Sequence, residues 1–315
     1  MAAKQHPRIA VLLPCYNEEA AIGATVEGFR KALPDADIYV YDNNSRDRTK
    51  AVAAKAGAIV RTEIQQGKGH VVRRMFADIE ADVYLMADGD LTYDAGAAPR
   101  MAKLIVEEQL DMVVGIRRHE EVEAYRGGHV LGNKIFTRLL SGLFGRSFTD
   151  IFSGYRAFSR RFVKSFPVLS EGFEIETEMS VHALELRMPV GEIETRYGAR
   201  PEGSQSKLST YRDGWRILKT IATLYRVERP VLFYGGIGAL LVVAAVILAV
   251  PLVVTFVQTG LVPRFPTAIL VTGMTIVAVL AFFAGLILDT VTRGRREMRR
   301  LAYLALPAPG ENGRL

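Results

Sequence analysis

One cysteine, Cys15, stands in 315 residues, with one tryptophan and five histidines. A lone thiol forms no intrachain disulfide, so no disulfide framework holds this fold, and Cys-type zinc sites are excluded with it. The histidines show no H-E-x-x-H spacing. Internal repeats are absent, and the only low-complexity stretch is the tail PAPGENGR, which reads as disordered. The opening MAAKQHPRIAVLLPCYNEE has too short an apolar run, Ile9–Leu13, for a signal peptide. It reads instead as a buried strand ended by Pro14. A reducing, cytosol-facing environment is the expectation.

Strong charge of one sign is also lacking. Forty basic against 34 acidic residues leave a net charge of +6. That balance suits nucleic acid, a membrane surface or an anionic substrate, and position must decide among them. The basic residues gather near the carboxyl-terminal apolar segments and form no stripe with aromatic platforms, so no nucleic-acid role is expected.

Long uncharged runs, by contrast, are present. VLFYGGIGALLVVAAVILAVPLVVTFV (231–257) and FPTAILVTGMTIVAVLAFFAGLIL (265–288) carry no charged residue. A membrane-spanning helix needs roughly 20 apolar residues, and both runs pass. Only QTGLVPR joins them, which predicts a transmembrane hairpin over 231–289. Pro251 lies inside the first run, where membrane helices tolerate a kink. Arg293, Arg295, Arg296, Arg299 and Arg300 follow the second run, whereas the connection carries only Arg264. The positive-inside bias then puts the tail (290–315) and the amino-terminal domain in the cytoplasm, with the hairpin in the cell's inner membrane. Before the hairpin, residues 209–230 place Trp215, Ile217, Leu218, Ile221, Leu224 and Tyr225 at helical spacing among Arg212, Arg216, Lys219 and Arg226. That pattern reads as a helix in the membrane interface or as a surface helix packed on the domain.

Residues 1–208 alternate. RIAVLLP, ADIYVYDNN, AIVRTEI, ADVYLMAD and DMVVGIR are strand-like, and helix-like segments separate them. The expected class is α/β: a mostly parallel sheet covered on both faces, with ligands bound beyond the carboxyl ends of the strands.

At those ends the polar chemistry collects. Pro14-Cys15-Tyr16-Asn17-Glu18-Glu19 follows the first strand, Asp42-Asn43-Asn44-Ser45 the second, and Asp88-Gly89-Asp90 the fourth. Ser45 or Asp47 could be helix caps. Two carboxylates as close as Asp88 and Asp90 repel and raise each other's pKa, and a divalent cation removes that penalty. Carboxylates suit hard ions such as Mg²⁺ or Mn²⁺, which typically add substrate phosphates to their coordination. The expected ligand is a metal-bound diphosphate.

VLLPCYNEE, VYDNNSRDRT, QGKGHVVRRMF and MADGDLTYD resemble the successive nucleotide-sugar motifs of family 2 glycosyltransferases with the GT-A fold. VVGIRR, RGGHVLGNKIF, TDIFSGYRAFSRR, GFEIETEM and RPEGSQSKLS are similar to the polyprenyl-phosphate branch, which includes dolichyl-phosphate mannose synthases and bacterial relatives acting on undecaprenyl phosphate. The resemblance covers about residues 8–210. It implies a nucleotide-sugar site of Pro14, Tyr16, Asn17, Glu18, Asp42, Asn44, Lys68, Asp88 and Gly89, with Asp88 and Asp90 as metal ligands and Lys68 near the diphosphate. Asn43 stands where many relatives have a second aspartate, and Thr92 where many have a glutamine. An acceptor-phosphate set of Arg117, Arg126, Arg156, Arg200 and Lys207 is implied, with Asp90, Asp150, Arg117 and Arg126 at the catalytic centre. Asp150 matches a position proposed as a base in relatives, or it orients an arginine. Glu174, Glu176 and Glu178 fit either one exposed strand face or a helix start.

The activity so implied is metal-dependent, inverting transfer of one sugar, from a UDP-sugar, to a polyprenyl phosphate at the cytoplasmic face, in cell-envelope glycan synthesis. Two rivals remain open. A processive polysaccharide synthase carries Q-x-x-R-W, but Trp215 is preceded by YRDG. A non-catalytic membrane scaffold would not need Asp88, Asp90 and Lys207. The small-residue patch GGIGA (235–239) could let hairpins pack into a homo-oligomer.

Overall fold

The computed structural model describes residues 7–119, 148–170, 174–198 and 225–310, with 142, 145, 172, 222 and 223. Two compact units emerge, Met1–Gly214 with Met298–Leu315, and Trp215–Glu297.

The first unit is built on a seven-stranded sheet in the order β3-β2-β1-β4-β6-β5-β7. Its strands are β1 Ile9–Cys15, β2 Asp37–Asp42, β3 Ile59–Thr62, β4 Val83–Met86, β5 Met112–His119, β6 Arg156–Ser159 and β7 Val190–Tyr197. β1 runs parallel to β2 and β4, β2 to β3, and β5 to β7, whereas β6 is antiparallel to both its neighbours. The five strands legible in the sequence are all here. β6 and β7 add to them: β6 has only four residues, too few for a period, and β7 is half-exposed along its length.

Six helices and a 3-10 turn cover the sheet: α1 Ile22–Ala32, α2 Thr49–Lys55, α3 Lys68–Asp78, the turn Ala95–Ala97, α4 Ala98–Glu107, α5 Arg160–Ser165 and α6 Ile175–Glu185. Central strands are buried on both faces, which is why β1 reads as an unbroken apolar run. Val11 and Leu13 face a core made with Ile22, Val26 and Phe29 of α1 and Met101 and Ile105 of α4. The opposite face is aromatic. Phe76 of α3 packs edge-on against Tyr84, Phe158 and Phe166, and Phe158 stacks on Phe162.

The second unit holds two long helices, α7 Pro230–Thr259 and the greater part of α8 Phe265–Leu304. At about 1.5 Å per residue either exceeds the ~30 Å hydrocarbon thickness of a bilayer. Their most apolar windows have mean hydropathies of 3.1 and 2.4, with 6 % and 11 % of the residues buried. Helices so apolar and so exposed have the character of membrane spans, not of a soluble core. Pro230 starts α7 at a position that tolerates proline, and Gly260, at φ 70°, ends it. Within the hairpin, a Cβ on Gly238 would lie 3.0 Å from the Ala278 carbonyl, so part of the GGIGA patch serves close packing of α7 on α8.

α8 continues past the expected end at 288, so the basic segment is helical through Leu304. Its last turns belong to the first unit. Arg299 pairs with Glu185 at 2.6 Å, Arg300 donates to the Leu186 carbonyl at 2.8 Å, and Tyr303 donates to Asp111 at 2.8 Å. Asp111 is fully buried and also accepts from Ser159 and, bidentately, from Arg161. The expected interfacial helix lies mostly outside the described residues.

Candidate active site

Parallel register aligns the strand ends. Cys15 pairs with Asp42, and Leu12 with Met86, so the turns after β1, β2 and β4 open on one edge. The first two turns interlock through hydrogen bonds. The Asn43 amide donates to the Cys15 carbonyl at 2.8 Å, Asn17 to Ser45 Oγ at 2.9 Å, and Glu18 to Thr49 Oγ1 at 2.9 Å. Arg46 N donates to Asn17 Oδ1 at 2.8 Å and Glu19 N to Asp47 Oδ2 at 3.1 Å. Asn17 and Asn44 turn the chain at φ 52° and 61°, a left-handed conformation that asparagine tolerates. Pro14 and Tyr16 are half-buried beside them, and Glu18 is buried.

Asp42 is wholly buried at this edge. Its Oδ2 accepts from the Ser45 amide at 3.2 Å and lies 3.5 Å from Lys50 Nζ, whereas the buried Oδ1 has no partner among the described residues. An orphaned buried acceptor calls for a ligand donor. The neighbouring asparagines serve the scaffold. Asn43 donates to the Glu63 and Gln65 carbonyls and accepts from the Gly67 amide at 2.7 Å, and Asn44 donates to the Ile64 carbonyl. Together they pin the segment that delivers Lys68 to the first turn of α3.

Lys68 is the hub of the acid cluster. Its Nζ lies 2.5 Å from Asp88 Oδ1 and 2.5 Å from Glu176 Oε1. Burial opposes the ammonium charge, but the two carboxylates outweigh burial and hold its pKa above the ordinary lysine value. Glu176 sits in the first turn of α6, so the GFEIETEM acids mark a helix start. Sequence spacing had no means of finding this pair, whose members are 108 positions apart.

Glycines give the acids room. A Cβ on Gly89 would lie 2.4 Å from Cys15 Sγ, and one on Gly154 would lie 2.9 Å from Asp88 Oδ2. Asp90 is buried, and its Oδ1 accepts from both the hydroxyl (2.5 Å) and the amide (3.2 Å) of Thr92. Thr92 therefore orients the aspartate. Between them Leu91 sits at φ 62°, a strained conformation for a residue of its size, and is 40 % exposed.

Asp88 and Asp90 are the residues that could hold a divalent cation. Among the described residues no group of three or more His, Cys, Asp or Glu could do so. Two carboxylates fit an ion that takes its remaining oxygens from substrate phosphate and water.

Across the site stands Arg117. Its Nε and Nη2 donate to the two oxygens of Asp150 at 2.7 and 2.8 Å, and its guanidinium lies over the Tyr197 ring at 5.6 Å. Burial opposes its charge, but the bonds to Asp150 hold its pKa above the usual arginine value. With both oxygens so engaged, Asp150 is the partner that orients Arg117. Tyr93, which the sequence reading passed over, links the two sides. Its hydroxyl accepts from the Gly154 amide at 2.9 Å and lies in the fields of both Asp88 and Arg117, while its ring packs on Tyr155 and Tyr197. Burial is the largest cause that raises its pKa.

Arg156 departs from the expected phosphate set. It is fully buried, and it donates to the Ser153 and Ile151 carbonyls and to Ser180 Oγ. Burial lowers its pKa to about 10. It ties β6 to the preceding turn and to α6 as a structural residue, because a guanidinium with such partners is not presented to a ligand. Arg126, Arg200 and Lys207 lie outside the described residues.

The family model described as glycosyl transferase family 2 matches residues 10–166. The chain is 34 % identical over 232 residues to glycosyltransferase AglJ of Haloferax volcanii, covering 73 % of this chain and 76 % of that protein. It is 28 % identical over 221 residues to a dolichyl-phosphate hexose transferase of the same organism, covering 70 % of this chain and 95 % of that one. Its fold resembles glucosyl-3-phosphoglycerate synthase from Mycobacterium tuberculosis, solved with Mn²⁺, UDP-glucose and phosphoglyceric acid. There the TM-score is 0.57 at 22 % identity, over 71 % of this chain and 80 % of that one.

Proposed function

The chain belongs to glycosyl transferase family 2, and from that premise we propose that it transfers one sugar, from a UDP-sugar, to a polyprenyl phosphate at the cytoplasmic face of the cell's inner membrane. One arrangement carries this reading. An acid-and-lysine edge (Asp42, Lys68, Asp88, Asp90) and a half-buried arginine (Arg117) face each other across Tyr93 and Gly154. Such a site suits an anionic donor on one side and an anionic acceptor on the other. Two exposed apolar helices in the same chain suit an acceptor that lives in a bilayer. A dolichyl-phosphate hexose transferase among the relatives points to the same acceptor class.

The donor's nucleoside would lie along the turns after β1 and β2. There Asp42 Oδ1 offers a buried acceptor to a base or ribose donor. Asp88 and Asp90 would hold Mg²⁺ or Mn²⁺, which when bound neutralises charge on the diphosphate leaving group. Lys68, in the first turn of α3, adds an ammonium and the positive end of a helix dipole on that side.

Arg117 would receive the acceptor phosphate, fixed in direction by Asp150 and by stacking on Tyr197. A lipid monophosphate has a second pKa of about 6 and is largely dianionic at neutral pH, so it attacks without a general base. This agrees with an Asp150 whose oxygens are both bonded to arginine. A phosphate oxygen forms the bond to the anomeric carbon as the bond to the diphosphate oxygen breaks, and the sugar carbon inverts. The protein positions the two anions and screens their repulsion.

The test is transfer from labelled UDP- and GDP-sugars to undecaprenyl phosphate in detergent, with Mn²⁺ or Mg²⁺, with EDTA, and with Asp90→Asn. Labelled lipid from one donor, abolished by EDTA and lowered ~10²–10³-fold in the variant, is expected. Nucleotide binding without any lipid product would remove the acceptor from this reading.

A further inference from the structure

Lys68 sits where a cation is wanted. Its ammonium lies 2.5 Å from Asp88 Oδ1, on one of the two carboxylates assigned above to a divalent ion. An ion bound through that oxygen would approach it to about 2.0–2.1 Å if it were Mg²⁺. Ammonium and metal cannot both keep so short a contact with one carboxylate oxygen, because their like charges repel. Lys68 must give up Asp88 Oδ1 wherever the metal takes that oxygen.

Glu176 gives it somewhere to stay. This carboxylate is 5 % exposed and holds the same Nζ at 2.5 Å from the first turn of α6. Its helix is tied in place: Ser180 Oγ donates to the Glu176 carbonyl at 3.0 Å, and the buried Arg156 donates to Ser180 Oγ at 2.9 Å. Gly154 keeps the path clear, since a Cβ there would stand 3.3 Å from Lys68 Nζ and 2.9 Å from Asp88 Oδ2. A lysine ammonium is a compact charge on a flexible stem with three donors. It can give up one acceptor and keep another.

We propose that Lys68 is an internal counter-ion that blocks the metal site of the empty protein, and that Glu176 is the positioning residue that retains its ammonium while Asp88 exchanges lysine for metal and the freed donor turns to the donor's diphosphate. Metal and nucleotide then load together: the ion alone must displace a lysine, and the nucleotide supplies the lysine's new acceptor. This rests on Asp88 and Asp90 being the metal carboxylates.

Mn²⁺ binding to the full-length protein, read from the free-ion electron spin resonance signal with and without UDP, tests it without turnover. Wild type should bind Mn²⁺ weakly alone and more tightly with UDP. If Lys68 covers Asp88 in about nine of ten empty molecules, Lys68→Met should tighten Mn²⁺ alone about tenfold. The same variant should weaken UDP in the presence of Mn²⁺. Glu176→Gln should move Mn²⁺ alone the other way, because the lysine then loses one of its two carboxylates and leans more on Asp88. Should Lys68→Met fail to fold, the double variant Lys68→Met/Glu176→Gln removes both charges and carries the same expectation. Opposite movements of the two affinities are not produced by loosened structure. If wild type binds Mn²⁺ with UDP but Lys68→Met leaves Mn²⁺ alone unchanged or weaker, the exchange is wrong while the metal site stands. If wild type binds no Mn²⁺ even with UDP, the metal site itself falls, and the exchange with it.

Discussion

At the ends of β1 and β2 the site is held by backbone amides that donate to several short polar side chains, and turn locks turn from Asn17 to Thr49. Around β5 it is held by a side-chain ion pair, Arg117 with Asp150, reaching across 33 positions. These two ways of holding a site respond differently to change. The turns spread their locking over four separate side-chain acceptors, Asn17, Ser45, Asp47 and Thr49, so loss of one leaves the others, whereas the arginine side depends on a pair in which neither partner is well placed alone. Removing one member of a buried, hydrogen-bonded pair leaves the other charge uncompensated.

The largest effect should come from breaking the arginine side. Arg117→Ala leaves Asp150, whose side chain is 9 % exposed, without its main partner. Loss of about 2–5 kcal/mol in transition-state binding is expected, seen as a fall in transfer to polyprenyl phosphate. UDP affinity measured by calorimetry should stay within about twofold. A parallel fall in UDP affinity would show that the two sides are one unit. On the acid side, Gly89→Ala should destabilise by about 1–3 kcal/mol, because the new methyl meets Cys15 Sγ at 2.4 Å. The double variant Gly89→Ala/Cys15→Ala removes the sulfur and should recover most of that loss. Additive losses in a thermal-melt cycle would place the strain elsewhere.

The smallest effect lies beneath both sides. His182 is buried, its Nε2 3.3 Å from Ser165 Oγ, and burial, with Arg299 adding to it, pushes its pKa down to about 3. The unfolded chain therefore binds a proton that the folded one refuses between about pH 6.5 and 3. Its contribution is complete above pH 6.5 and is lost as pH falls through that window, by at most ~1.4 kcal/mol per unit. Melting temperatures from pH 7 to 5 should fall more steeply for wild type than for His182→Gln. Equal slopes would remove the histidine from the account.

Much of this was written locally. The apolar strands, the acid-rich ends of β1, β2 and β4, and the two uncharged helices each lie in one short stretch, where period, punctuation and composition suffice to read them. Parallel register then had little choice but to bring Cys15, Asp42 and Asp88 to one edge. What the sequence by itself determined about this protein is therefore its class, its two long apolar helices and the acid edge of its site. Only the tertiary structure decided that Arg156 is a buried strut, that Glu176 meets Lys68, that Thr92 orients Asp90 and that Tyr93 joins the two sides. It also decided that the last turns of α8 dock on Asp111. The reason is physical: an ion pair or a burial depends on what lies a few ångströms away in space, and between positions 68 and 176 the chain carries no local signal of that distance.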